Sequence, residues 1–377
     1  MQRPVSRISV SFGAAFFLAL TQILAASPDA GTTAADSSCA RAIAHGAVCE
    51  AANKHAIELM NARNLEAATA VFDVQTGALI AFAATPGPEA NRKNTEPLKV
   101  TTPVAPLSLT KLFLAASWWD RDLPDRRFDC TRSATPDKRE PMTIPEMIVI
   151  GCDLPAKQMA VALRKEVGSE KVLADLERVG FGARSKSPRD DSFWSELAPE
   201  WRDTLVPAAS YTLLTDKTSD ADWADAMSLG ERNFVVTILH ISRFLQAVGN
   251  NGVLLPPVAQ KEPESPIPAS KSRRIMKENT TVRLQTAMRE VVQRGSAKAI
   301  AHTLDGTGWQ IGGKTGTGPG LGSTGPPYDG WFAGLVFDPQ GNARFTVATY
   351  VRHGGLGGEH AAIISAQLAR YLIENGK

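Results

Sequence analysis

Residues 316–327, GTGPGLGSTGPP, hold five glycines and three prolines and so cannot form a helix. That limits what the residues just before them can be. Read from Gly308, GWQIGGKT has the Gly-x-x-x-x-Gly-Lys-Thr spacing of a phosphate-cradling loop. Such a loop needs a strand before its first glycine, a helix opening at Lys-Thr, and a parallel strand after the crossover. No helix N-terminus is available here to face a phosphate, and the next apolar run, GLVFD, follows too closely for a crossover helix. The phosphate-loop reading is set aside. What remains is a strand through Lys314, Thr315 and Gly316, a Gly/Pro-rich connection, and a second strand from DGWFAGLVFD.

Periodicity elsewhere gives strands at both ends of the chain and helices between them. ATAVFDVQTGALIAFAAT reads as two apolar strands around a Gln-Thr-Gly turn, and ARFTVATYV as a third C-terminal strand. AANKHAIELMNARN precedes the hairpin with helical spacing, and SLTKLFLAASWW opens a helix of buried type. LPAKQMAVALRKEVG, SEKVLADLERVG, NFVVTILHISRFLQAVGNNG and TTVRLQTAMREVVQRG each carry i, i+3, i+4 apolar spacing and stop at glycine or Asn-Asn-Gly. EHAAIISAQLARYLIENG closes the chain as a helix. Strands drawn from both termini imply one sheet completed by a terminal hairpin and covered by helices, an α+β arrangement.

Arg3 and Arg7 precede the apolar VSFGAAFFLAL, the layout of an export signal. Ala25, Ala26 and Ser27 suggest a cleavage region, but the apolar stretch from Val10 to Ala26 also sits at the short limit of a membrane span, about 17–25 residues. Residues 1–27 are therefore expected to be a signal peptide or a signal anchor, and 28–67 a linker, polar from Pro28 to Ser38, followed by a helix. An even cysteine count in an exported chain favours disulfides. Of the three possible pairings, Cys39–Cys49 with Cys130–Cys152 is preferred. A zinc site is disfavoured because no Cys-x-x-Cys or His-x-x-x-His spacing occurs, so no metal or other cofactor is expected. A net charge of +2, with no basic run interleaved with aromatics, gives no footprint for nucleic acid.

Ser108-Leu109-Thr110-Lys111 puts a hydroxyl and an amine one helical turn apart on the same face, where the lysine reaches the serine. Taken alone, that pattern is better explained by a helix N-cap and a solvated lysine. Its order with other segments changes the reading. AVFDVQTGALIAFAATP, SLTK, LGERNFVVTILHISRFLQAVGNNGVLLPP, MREVVQRGSA, IGGKTGTG and DGWFAGLV occur in the order and at the spacing of the transpeptidase domain of penicillin-binding proteins, which residues 68–377 resemble.

The resemblance implies a mostly antiparallel five-stranded sheet flanked by helical layers. It also implies Ser108 as the acylated nucleophile, Lys111 as the base taking its proton, and Lys314 and Thr315, with Gly316 and Thr317, as the substrate-binding third motif. The backbone N–H groups of Ser108 and Thr317 would form the oxyanion hole. Peptidoglycan stem peptides and β-lactams are the implied ligands, with cell-wall synthesis proteins as possible partners. The implied location is the periplasm or the outer face of the cytoplasmic membrane, the chain being held to the membrane if its N-terminal segment is not cleaved.

The chain departs from the family at the second motif, Ser-x-Asn or Ser-x-Asp. Gly151 stands in the serine position of GCDLPAKQMAVAL, so a hydroxyl that would relay a proton is missing, while Asp153 keeps the third position. Asp153 near Lys111 would favour the charged ammonium, against the needs of a base. The expected function is a D,D-transpeptidase-like serine acyltransferase. The alternatives are a catalytically weakened scaffold or sensor on the same fold and a class D-like β-lactamase.

Overall fold

The computed structural model describes residues 36–87, 96–132, 135–180, 211–231, 234–260 and 272–376. The expected signal or anchor, residues 1–27, lies outside them. Two helices, α1 (Asp36–His45) and α2 (Glu50–Asn61), lead into β1 (Glu66–Phe72) and β2 (Leu79–Pro86). Asp73 makes the β1–β2 turn: its Oδ1 accepts the Gln75 and Thr76 N–H groups and the Thr76 hydroxyl at 2.8–2.9 Å. A 3₁₀ turn, Leu107–Leu109, then runs into α3 (Thr110–Asp120).

A hairpin of β3 (Phe128–Arg132) and β4 (Thr135–Met142) precedes three helices, α4 (Ile144–Ile150), α5 (Asp153–Val167) and α6 (Ser169–Arg178). Next come β5 (Tyr211–Thr212), α7 (Asp220–Leu229), β6 (Phe234–Val235), α8 (Ile238–Gly249), β7 (Val253–Leu254), β8 (Arg273–Arg274) and α9 (Glu278–Arg294). The chain ends with β9 (Gln310–Gly318), β10 (Asp329–Phe337), β11 (Ala343–Arg352) and α10 (His360–Asn375).

The main sheet is five-stranded and antiparallel, in the order β2-β1-β11-β10-β9. The N-terminal hairpin is thus completed by the C-terminal strands, as the pattern at the two chain ends implied. Every residue of β10 is buried, because helices cover both faces. On one face, Ser365 of α10 hydrogen-bonds Thr349, which also shares a bond with Thr69. On the other, Gly249 at the end of α8 has Leu335 and Val74 close against it.

Helix α8 starts later than the run NFVVTILH suggested. Phe234 and Val235 pair with Thr212 and Tyr211, and the helix opens at Ile238 with the Thr237 hydroxyl capping the His240 N–H. Period-3.6 spacing had carried the helix back through two strand residues whose partners lie 22 and 24 positions upstream. Helix α1 likewise begins at Asp36, inside the segment taken for linker. Both disulfides are present: Cys39–Cys49 ties α1 to the start of α2, and Cys130–Cys152 ties β3 to the junction of α4 and α5. Among the described residues no helix is long and apolar enough to cross a membrane, and no group of His, Cys, Asp or Glu is placed to hold a metal.

Candidate active site

Three ties fix the chain just before Ser108. Val104 exchanges backbone hydrogen bonds with Val236, Trp331 Nε1 donates to the Ala105 carbonyl at 2.8 Å, and the Leu107 N–H donates to the Gly230 carbonyl at 3.1 Å. Leu107 takes φ +52°, a left-handed conformation that costs a leucine roughly 1–2 kcal/mol. Gly230, the left-handed C-cap of α7, makes room for it, since a Cβ there would overlap the Leu107 backbone. The strained residue therefore sits immediately before the nucleophile candidate, held by neighbours that leave it no alternative.

Ser108 is half-buried in the 3₁₀ turn, and Lys111 projects from the first turn of α3 with no exposed surface. Lys111 Nζ meets Ser108 Oγ and Asp153 Oδ1, both at 2.8 Å, and the Ser228 carbonyl at 3.0 Å. Burial pushes the Lys111 pKa below the ordinary lysine value, and the attraction of Asp153, then Glu231, offsets only part of that. The aspartate therefore does not keep Lys111 at the ordinary lysine value. Its own side chain is 54% exposed, so water screens its charge.

Asp153 begins α5, one residue after the disulfide-bonded Cys152, and Gly151 is the C-cap of α4 at φ +79°. A Cβ built on Gly151 would lie 3.7 Å from Lys314 Nζ with nothing else within 4 Å. Gly151 thus does face the third motif, where the resemblance put a serine, but in a backbone conformation that disfavours one.

The two-residue period of a strand sorts β9. Lys314, Gly316 and Gly318 share one face, and Thr315 and Thr317 the other. On the first face, Leu107 Cβ would be 3.2 Å from a Cβ on Gly316, and Leu107 Cδ2 3.0 Å from one on Gly318, so these glycines let the nucleophile turn pack directly on the strand. Lys314 is buried, donates to the Thr315 carbonyl at 2.9 Å, and has its pKa lowered to about 7 by burial and the nearby Lys111 charge, against the pull of Asp153. On the second face, the Thr315 hydroxyl shares a 2.6 Å hydrogen bond with Ser296, and Thr317 Oγ1 accepts the Gly357 N–H at 3.0 Å. β9 is an edge strand of the main sheet, so its outer side is left for an extended ligand to pair with.

Ser108, Lys111 and Asp153 thus form one hydrogen-bonded cluster, with Lys314 facing Gly151 beside it. Thr315 and Thr317 belong to the same strand but present their hydroxyls on its other face. Sequence reasoning passed over the Ser228 carbonyl, Ser296 and the Gly357 N–H. Two of these are main-chain groups with no side-chain signature, and Ser296 lay unremarked in the Gly-Ser that ends α9.

The sequence matches the penicillin binding protein transpeptidase domain over residues 67–374. Nothing among curated proteins matches it. In fold it is similar to the D,D-transpeptidase domain of a peptidoglycan glycosyltransferase from Eggerthella lenta, with 20% identity, 85% of this chain and 80% of that one covered, and a TM-score of 0.65. It is also similar to the transpeptidase domain of penicillin-binding protein 3 from Burkholderia pseudomallei, at 18% identity, 86% and 94% coverage and a TM-score of 0.64. Penicillin-binding protein 3 from Mycobacterium tuberculosis, complexed with aztreonam, gives 18% identity, 86% and 76% coverage and a TM-score of 0.61. With the family's domain spanning most of its length and the sheet built in the same way, this chain belongs to the penicillin-binding protein transpeptidase family and is peptidoglycan transpeptidase-like.

Proposed function

We propose that the protein is a serine D,D-acyltransferase that takes D-Ala-D-Ala stem peptides and is acylated by β-lactams, working outside the cytoplasmic membrane. The observation that carries this is the fully buried Lys111 amine 2.8 Å from the Ser108 hydroxyl, its pKa lowered by burial in spite of Asp153. A neutral amine there has a lone pair for the serine proton.

As the proton passes to Lys111, Ser108 Oγ attacks the carbonyl of the penultimate D-Ala, and the oxyanion forms against the Ser108 and Thr317 N–H groups. Each such donor contributes roughly 3 kcal/mol. The peptide C–N bond then breaks, the departing D-Ala amine takes the proton from Lys111, and an ester remains on Ser108. An acceptor amine or water cleaves that ester. With a β-lactam the same bond opens inside a ring, so the amine stays attached and the ester persists. The Thr315 and Thr317 hydroxyls bind the donor's terminal carboxylate, and the Lys314 charge, from the other face of the strand, attracts it without direct contact. With Gly151 in the second motif, no side-chain hydroxyl from that position relays the proton, and Lys111 returns it to the leaving nitrogen itself.

The test is a time course with purified protein and a fluorescent penicillin. A lasting adduct supports the acyltransferase, rapid release of hydrolysed penicillin the β-lactamase alternative, and no adduct a scaffold that has lost catalysis with the missing serine.

A further inference from the structure

Ser296 joins three segments that meet beside the third motif. Its hydroxyl is 2.6 Å from Thr315 Oγ1. Its carbonyl oxygen lies where a Cβ on Gly358 would be, so the loop between β11 and α10 closes onto it only because residue 358 is glycine. Gly295, just before it, abuts the Val149 carbonyl in α4 just as closely, two residues ahead of Gly151. The Gly295-Ser296 turn thus sits between the second-motif corner, β9 and the loop whose Gly357 N–H binds Thr317. Ser296 is itself exposed although its partner Thr315 is buried, so its hydroxyl stands at the rim of the site, not in the core.

We infer that Ser296 is a positioning residue for carboxylate recognition: its hydroxyl sets the direction of the Thr315 O–H, so that this group points its proton at the carboxylate of an acyl donor lying along β9. A threonine hydroxyl rotates freely and can as well donate to a backbone carbonyl, and a donor 2.6 Å from its oxygen takes one acceptor position and narrows the directions left to its proton. With the Ser296 O–H donating to Thr315 Oγ1, the single Thr315 proton is left for the carboxylate. The inference rests on the acyltransferase reading above and extends it to a residue outside its motifs.

The full-length protein is acylated with benzylpenicillin and, separately, with benzylpenicillin methyl ester, which keeps the reactive ring but lacks the carboxylate charge. Ser296→Ala is expected to slow acylation by the acid about 3- to 12-fold, the loss of one hydrogen bond between neutral groups, and acylation by the ester less than about 2-fold. Ser296→Thr, which keeps the hydroxyl, is expected to restore the preference for the acid, and melting temperatures are expected to stay at the wild-type value. Equal slowing with both compounds, no slowing with either, or an alanine variant that melts well below wild type would each overturn the inference while wild-type labelling stands. Failure of the wild-type protein to label at all removes the acyltransferase reading first, and the inference with it.

Discussion

The second-motif corner and the third-motif strand face each other across Lys314, yet they are held in place by different means. β9 is registered residue by residue against β10 from Gln310 to Gly318, so the alternation of Lys314 with Thr315 and Thr317 follows from the sheet. The corner has no such ladder. Gly151 ends one helix in a left-handed conformation, Asp153 begins the next, and a disulfide at Cys152 pins the residue between them to β3. A site supported by sheet register tolerates little change, whereas one supported by caps and a crosslink can lose a hydroxyl and keep its shape. That is the difference between the intact third motif and the glycine in the second.

Changes that separate the two sides test this contrast, and the largest effect is expected at the amine they share. Lys111→Ala should slow Ser108 acylation ~10²- to 10⁴-fold, the reach of a general base, with both penicillin and its methyl ester. Differential scanning calorimetry should show no loss of stability, because the variant removes a buried amine and leaves behind a carboxylate already in contact with water. Removing the Cys130–Cys152 crosslink by a double serine substitution should cost about 3 kcal/mol, the chain-entropy value for a loop of this size. Below its melting temperature that variant should acylate more slowly with acid and ester alike, since the corner is loosened and the strand is not.

Lys314→Met acts on the other side. Acylation by benzylpenicillin should fall about 10- to 100-fold and that by the ester much less, as expected for a lost interaction between charged groups. The pH dependence carries the same information. With a pKa of about 7, Lys314 loses its charge as pH rises through neutrality, so acid-selective acylation should decline on the alkaline side. Stability moves oppositely: the folded chain binds fewer protons at Lys314 than the unfolded chain between about pH 7 and 10.5, so stability rises with pH across that window. Lys314→Met should flatten this rise in a series of melting curves.

The smallest effect is expected at Gly151. At φ +79° any side chain is strained, so Gly151→Ala and Gly151→Ser should each lose ~1–2 kcal/mol, read by denaturant titration. Only the serine returns a hydroxyl to the neighbourhood of Lys314, so the serine variant should acylate faster than the alanine variant. Equal rates would mean that the site works without a relay.

Much of this was legible in the sequence for a physical reason. Strands in β1, β2, β10 and β11 are apolar, regular and bounded by turn residues, and the Gly/Pro run after Thr315 excluded the competing fold outright. The Ser108–Lys111 pair was legible because helical spacing alone brings the two groups together. The left-handed Leu107 was not, because nothing in a leucine announces it; the conformation is imposed by Gly230 and Trp331 from distant parts of the chain. Nor was the balance at Lys111, where Asp153 argued for a charged amine and only the burial of the whole side chain shows which effect prevails. The hairpin β3–β4 and helices α4 and α7 were also missed, being short and lacking a long apolar stripe.

The central claim is that Lys111 and Ser108 form a working acylation pair although Gly151 offers no hydroxyl. Its most direct test is peptide mass mapping of the wild-type protein after brief exposure to benzylpenicillin. The account predicts one intact penicilloyl group on the peptide holding Ser108, absent from Ser108→Ala. A folded wild-type protein that stays unmodified at Ser108, or one modified equally in Ser108→Ala, would contradict it.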